Sequence, residues 1–237
     1  MSRYSVDVVI PVHNEGKTLK SSIIKLTKYL EANVSFDWRI IVADNASKDN
    51  TPEVSKELES RFKKVFYMRL PQKGRGRALR HSWLISNADV MCYMDADLST
   101  DLKYLNDLVE PLAKNKYDVA IGSRLKRGAK VINRSLRREI ISRAYNIFIR
   151  IIFPGYKIKD AQCGFKAITN EAIHKIAPLI KDNKWFFDTE LLLKALKLGY
   201  RINELPVIWV DDRTSTVNVV DTAWKDIKGL FRVRFGG

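Results

Sequence analysis

Short apolar runs alternate along the chain with segments whose apolar residues recur at helical spacing. Residues 6–10 (Val-Asp-Val-Val-Ile) read as a buried strand, and residues 17–30 place Leu19, Ile23, Leu26 and Leu30 on one helical face. The alternation continues with a strand at 39–43, a helix at 52–62, a strand at 65–69, a helix from about 76 to 86 and a strand at 90–94. A helix at 102–114 and a strand at 118–121 follow. Strands alternating with helices predict an α/β fold, a mostly parallel sheet covered on both faces. In such sheets ligands sit beyond the carboxyl ends of the strands. After Gly122 the pattern changes. Two long amphipathic segments, 135–153 and 217–235, enclose a polar stretch at 160–166, a helix at 187–198 and a strand at 201–210.

The 237 residues are 46% hydrophobic and 10% aromatic, which fits one folded domain and excludes disorder. We read residues 1–237 as a single domain in two halves, 1–125 and 126–237. The net charge of +15 asks for anionic partners: nucleic acid, anionic lipid or phosphorylated ligands. A solvated basic surface is the plain alternative. Cys92 lies within an apolar run and is expected as a core thiol; with Cys163 it makes no disulfide framework. The expected first strand follows the N-terminus at once, without the pattern of a signal peptide. No apolar run approaches the ~20 residues of a transmembrane helix, so any membrane contact is expected to be peripheral.

The loops after the expected strands carry the candidate chemistry. Asp95-Ala96-Asp97 follows a buried strand, where residues i and i+2 share a face. Two such carboxylates repel unless a cation or proton lies between them, and Mg²⁺ is commonly held by one or two carboxylates plus substrate phosphates. A solvated turn capping the next helix is the alternative. Lys73-Gly74-Arg75-Gly76-Arg77 sets glycines and cations before a helix N-terminus, which suits phosphate contact. It lacks the P-loop pattern, and no Gly-x-Gly-x-x-Gly follows the first strand. Glu15 and Asp44 stand at strand ends, where they could accept hydrogen bonds from a ribose or a base; Asp49 is expected as the helix cap and Asp44 as the ligand. Asp188 and Glu190 open an apolar helix, a position the helix dipole favours by itself. His13, His81 and His174 lack metal-ligand spacing, and His174 is expected on a helix surface.

Together these residues resemble glycosyltransferase family 2, with its GT-A fold. The series is Val9-Ile10-Pro11-Val12-His13-Asn14-Glu15, residues 42–51 (Val-Ala-Asp-Asn-Ala-Ser-Lys-Asp-Asn-Thr), Lys73-Gly74-Arg75-Gly76-Arg77-Ala78, Met94-Asp95-Ala96-Asp97-Leu98-Ser99 and Gly122-Ser123-Arg124. The segments at 160–166, 185–192 and 204–209 look like the dolichyl-phosphate β-glucosyltransferase branch. Arg77 stands where the family often has glycine. The resemblance implies an inverting, metal-dependent hexosyltransferase. Pro11, Val12, Asn14, Glu15, Asp44, Lys73, Asp95 and Ala96 would bind a nucleotide sugar, UDP-linked rather than GDP-linked. Asp95 and Asp97 would hold Mg²⁺ or Mn²⁺. The acceptor would be a polyprenyl or dolichyl phosphate, contacted by Arg124, Gln162, Lys166 and Arg213. Asp97, Arg124 and Asp188 are the expected catalytic residues, with Asp188 as base if the acceptor is a hydroxyl.

The amphipathic segments suit a lipid acceptor. Leu136, Ile140, Ala144, Ile147, Phe148 and Ile151 share a face flanked by Arg137, Arg138, Arg143 and Arg150. Val220, Trp224, Ile227 and Phe231 form a second face, with Lys225, Lys228 and Arg232 around it. Basic amphipathic helices of this kind lie in membrane interfaces; docking on the core or a homo-oligomer contact is the alternative. The expectation is a peripheral protein on the cytoplasmic face of an anionic membrane. Two rivals remain. A nucleic-acid binder explains the charge but not the acidic loops; a relative that extends a glycan would use a hydroxyl acceptor.

Overall fold

The structure, a computed structural model, describes residues 4–211 and 219–236. In chain order the elements are β1 (Ser5–Val12), α1 (Leu19–Asn33), β2 (Asp37–Asn45), α2 (Thr51–Arg61), β3 (Val65–Leu70), α3 (Arg75–Leu84), β4 (Val90–Met94), α4 (Leu105–Ala113) and β5 (Val119–Ser123). Then come β6 (Lys130–Ile132), α5 (Leu136–Ile152), β7 (Phe165–Thr169), α6 (Asn170–Ile176), α7 (Phe187–Lys197), β8 (Ile202–Pro206), β9 (Ile208–Val210) and α8 (Val219–Phe235). Seven strands form one sheet in the order β3-β2-β1-β4-β7-β5-β8, and β6 pairs with β9 in a second, two-stranded sheet.

The sheet is parallel except at β7, which runs antiparallel to both β4 and β5. Alternation along β1 divides the core. Val8 and Ile10 pack on one face with Leu19 and Ile23 of α1, Leu58 of α2 and Leu105 of α4. Val9 packs on the other with Leu79 and Trp83 of α3 and Leu191 and Leu192 of α7. Each fully buried Val, Leu or Ile contributes about 1.5–3 kcal/mol. The doubly covered sheet accounts for strands that read as continuous apolar runs.

The strands at 90–94 and 65–69 and the helices at 52–62, 135–153 and 187–198 are observed within a residue or two of expectation. Three readings are corrected. The helix expected at 102–114 begins as a 3-10 turn, Leu102–Tyr104, before α4. The strand expected at 201–210 breaks at Val207: Pro206 offers no N–H, and β9 leaves the main sheet for β6. The polar stretch at 160–166 runs into β7, an interior strand.

The chain order reverses between β1 and β4: β2 and β3 build outward on one side, β4 starts the other. The β1–β4 ladder ends at Val9↔Tyr93, whereas β1 follows β2 to Val12↔Asp44. Beyond that point β1 and β4 part. The loops after β1 and β4 therefore flank the topological switch point, the usual ligand crevice of such sheets.

Candidate functional site at the switch point

One wall of the crevice is a double loop. The Asn14 N–H donates to Ser47 Oγ (3.0 Å), Glu15 N–H to Thr51 Oγ1 (2.8 Å) and Gly16 N–H to Asp49 Oδ2 (3.2 Å). In return Lys48 N–H donates to Asn14 Oδ1 (2.8 Å). Asn14, Ala46 and Leu98 hold positive φ (59°, 57° and 51°), so backbone strain gathers in the loops after β1, β2 and β4. Asp49 also accepts from Thr51 N–H (3.0 Å), one residue ahead of the N-cap position, which Asn50 occupies. Asp44 is fully buried. Its Oδ1 accepts from Ser47 N–H (2.8 Å), its Oδ2 from Tyr67 Oη–H (2.8 Å), and Arg69 lies 3.7 Å away. Its carboxylate thus braces the second loop rather than standing open.

The other wall holds the paired acids. Asp97 is exposed, and its Oδ1 accepts from Ser99 N–H (3.0 Å). Asp95 is drawn inward: Arg75 Nη2 donates to its Oδ1 at 2.6 Å, and its carboxylate fills the space that a Cβ on Gly164 would need. Burial, with Asp97 and Asp188 adding, raises the Asp95 pKa against the pull of Arg75 and Arg124. Glu15 is also raised, first by burial and then by Asp97, Asp49 and Asp95, against a hydrogen bond from Thr18. Asp97 thus acts on both Asp95 and Glu15. Among the described residues no group of three or more His, Cys, Asp or Glu side chains is arranged to hold a metal. Two neighbouring carboxylates short of a full set are the donor set expected where a hard cation completes its shell with substrate oxygens. Asp95 and Asp97 fit such an ion.

Behind the acids lies a buried charged cluster. Lys166, directly opposite Tyr93 in the β4–β7 pairing, is fully buried. Its Nζ donates to Cys163 O (2.6 Å) and lies 2.9 Å from Asp188 Oδ1, which also accepts from Tyr93 Oη–H. Lys166, expected as an acceptor contact, thus lies in the interior with its ammonium beside the Asp188 carboxylate. Arg124 grips the buried Asp160 through Nε (2.7 Å) and Nη2 (2.9 Å), and its guanidinium covers the Trp209 ring at 5.0 Å. Burial alone would raise Asp160, but Arg124 holds it down to about 2. Gln162 Nε2 donates to Asp226 Oδ2 (2.8 Å) and so ties the segment before β7 to α8. Arg213 lies outside the described residues.

The glycine-rich loop is not an open phosphate cradle. Gly76 N–H donates to Lys184 O (3.2 Å), Arg77 N–H to Asn183 O (3.1 Å), and Gly74 N–H to Asn45 Oδ1. A Cβ at Gly74 would strike Asn183 O, and one at Gly76 would strike Phe187. The glycines thus admit the segment at 181–187, while Lys73 stays exposed. Sequence reasoning missed Arg75, Tyr93 and Asp226 as individual participants. Tyr93 had a signal, being two residues before Asp95 on one strand. Asp226 is spaced with Leu230 and Val233 on the inward face of α8.

On α5, Leu136, Ile140, Ala144, Ile147 and Ile151 form the exposed stripe, while Ser142, Tyr145, Asn146 and Ile149 face the core. Phe148 meets Phe231 of α8 edge-on at 6.2 Å, and Phe231 stacks on Phe235 at 6.1 Å, so the apolar surface continues across both helices. Several expected cations are paired: Arg138 with Asp211 (3.0 Å), the exposed Arg143 with Glu139 (2.6 Å) and Arg232 with Glu190 (3.0 Å). Among the described residues no helix is long and apolar enough to cross a membrane.

A mostly parallel α/β sheet that reverses its strand order, with paired acids at the switch point, is an architecture of GT-A type. Comparison with known proteins agrees: residues 7–177 match the model of glycosyl transferase family 2, and the chain belongs to that family. It is 35% identical to glycosyltransferase AglD of Haloferax volcanii over 95% of this chain, which spans 35% of that protein's length. It is 31% identical to a dolichyl-phosphate beta-glucosyltransferase of Dictyostelium discoideum, over 97% of this chain and 74% of that protein. In fold it resembles the glucosyl-3-phosphoglycerate synthase of Mycobacterium tuberculosis solved with Mn²⁺, UDP-glucose and phosphoglyceric acid. The TM-score is 0.75 at 18% identity, covering 98% of this chain and 80% of that one.

Proposed function

We propose that this chain moves a hexose, glucose before others, from a UDP-sugar to a polyprenyl-type phosphate at the cytoplasmic surface of a membrane. The observation that carries the lipid acceptor is the stripe Leu136, Ile140, Ile147 and Ile151. These residues stay exposed on a helix whose other face is packed into the core. Exposed apolar surface flanked by cations suits an anionic lipid interface. The names of the relatives, dolichyl-phosphate beta-glucosyltransferases among them, support acceptor and sugar, and the UDP-glucose bound to the structural neighbour supports the donor.

Glu15, Asp95 and Asp97 would line the donor site. A divalent cation on the two aspartates, Mg²⁺ or Mn²⁺, would stabilise the negative charge of the departing nucleoside diphosphate. A phosphate oxygen of the acceptor attacks the anomeric carbon as the bond to the diphosphate breaks, which inverts that carbon. A phosphate monoester, with a second pKa of roughly 6, is already anionic near neutrality and needs no base. That fits Asp188, which is committed to Lys166 and Tyr93. Arg124 and Gln162, both bonded to Asp160, would stand on the acceptor side.

The test is sugar transfer from a panel of UDP- and GDP-sugars to a short polyprenyl phosphate, with Mg²⁺ or Mn²⁺. A glycolipid formed from a UDP-hexose, and lost with EDTA or in Asp97→Asn, is the expected result. Donor hydrolysis alone would overturn the lipid acceptor.

A further inference from the structure

Arg75 sits at the head of α3 with its guanidinium between two rings, 5.2 Å from the centroid of Tyr93 and 4.9 Å from that of Trp185. The side chain is 14% exposed and donates through Nη2 to Asp95 at 2.6 Å. Its Nε is buried and has no hydrogen-bond partner. Three facts bear on its use. A stacked guanidinium is a fixed planar fork, the geometry that matches phosphate oxygens two at a time. A buried N–H without an acceptor is disfavoured until one arrives. And Asp95, Asp97 and Glu15 together require a neighbouring cation. Among the described residues, Arg75 is the cation that touches Asp95.

We propose that Arg75 is an exchangeable counter-cation and a ligand of the donor diphosphate. It neutralises Asp95 while no divalent ion is bound, and its fork turns to the diphosphate oxygens when metal and donor enter together. This rests on the donor reading given above and adds to it an order of binding. The metal alone meets a resident positive charge, so it binds weakly. The diphosphate supplies an anion for both cations, so metal and nucleotide bind cooperatively. The aromatic pair keeps the guanidinium in place through the exchange. Trp185 belongs to the segment that caps α3, so donor binding is felt directly at the start of α7, where Asp188 lies.

The experiment compares wild type, Arg75→Met and Arg75→Lys in two titrations: MnCl₂ alone, read by the free-Mn²⁺ spin-resonance signal, and UDP at saturating Mn²⁺, read by calorimetry. Without the resident charge, Arg75→Met should bind Mn²⁺ about fivefold tighter than wild type. Without the fork, it should bind UDP about tenfold or more weaker. Arg75→Lys keeps the charge and loses the fork, so its Mn²⁺ affinity should match wild type while its UDP affinity falls. Equal or weaker Mn²⁺ binding by Arg75→Met, or unchanged UDP binding by Arg75→Lys, would overturn the proposal. A role confined to packing weakens both ligands together and cannot tighten Mn²⁺. A wild type that takes Mn²⁺ but no UDP would instead overturn the donor reading, and the Mn²⁺ comparison would still decide the counter-cation role. Arg75→Lys also carries the decision if the methionine variant does not fold.

Discussion

Gly76 at the head of α3 lies directly against Phe187 at the head of α7, with no room for a Cβ between them. That contact joins two halves of the chain over a hundred positions apart. Arg80 strengthens it by donating to Ile180 O (2.8 Å) and Asn183 Oδ1 (2.7 Å). Gly76→Ala should destabilise the fold by about 1–3 kcal/mol through overpacking against a buried ring. Chemical denaturation checks this; a loss under a few tenths would show that Phe187 moves freely.

Lys166 and Asp188 form a pair that only makes sense whole. Lys166→Met leaves a buried carboxylate without its cation, and breaking such a pair costs about 3–5 kcal/mol. The double variant Lys166→Met/Asp188→Leu should recover a good part of that loss, because neither charge then remains alone. Equilibrium unfolding of both singles and the double closes the cycle. Simple additivity would contradict the pairing.

Asp226 sets a pH dependence. Burial first, then Asp182 and Asp188, push its carboxyl up to about 7, against hydrogen bonds from Gln162 and Tyr145. A carboxyl whose native pKa exceeds its unfolded value keeps its proton preferentially in the fold. The stability it contributes is complete below about pH 4 and is lost as pH rises through about 7. Asp160 acts in the opposite sense: its contribution is present above about pH 4 and is lost as pH falls through about 2. The difference between Asp226→Asn and wild type removes that background. The variant should gain relative stability steadily from pH 4 to 8, seen as a rising difference in Tm. A flat difference would mean that Asp226 titrates normally.

The stripe on α5 predicts lipid dependence. Leu136→Glu and Ile151→Glu lie at exposed positions away from the crevice, so the fold should be unchanged. Each should lower binding to vesicles of anionic phospholipid about tenfold, the scale of one buried aliphatic side chain. Flotation with vesicles measures it; undiminished binding by the double variant would remove this face from the membrane.

The sequence made the sheet legible because its strands are buried on both faces, and that burial is written as uninterrupted apolar runs such as residues 90–94. The position of Asp95 and Asp97 followed from the same runs, since post-strand loops sit at the sheet's carboxyl edge. β7 was harder to see. Its Lys166 reads as a surface charge in any local pattern, and only Asp188, twenty-two residues on, explains its burial. The glycine-rich loop read as a phosphate contact, and its packing against residues 181–187 was not legible, because the carbonyls of Asn183 and Lys184 satisfy the same N–H groups that an anion would. Asp44 shows the same limit: a carboxylate at a strand end suits a ligand or a turn, and its contacts with Ser47, Tyr67 and Arg69 were not readable from the local sequence.

The most direct measurement is a competition between acceptors in one reaction. Wild-type protein, Mn²⁺ and UDP-glucose would be offered a short polyprenyl phosphate and a free sugar hydroxyl acceptor at equal concentration, and both products followed by mass spectrometry. Glucose on the lipid phosphate alone is expected, with the product absent from Asp97→Asn and still formed by Asp188→Asn at reduced stability. Glucose on the sugar hydroxyl, lost in Asp188→Asn, would contradict it and make Asp188 the base of a glycan-extending enzyme.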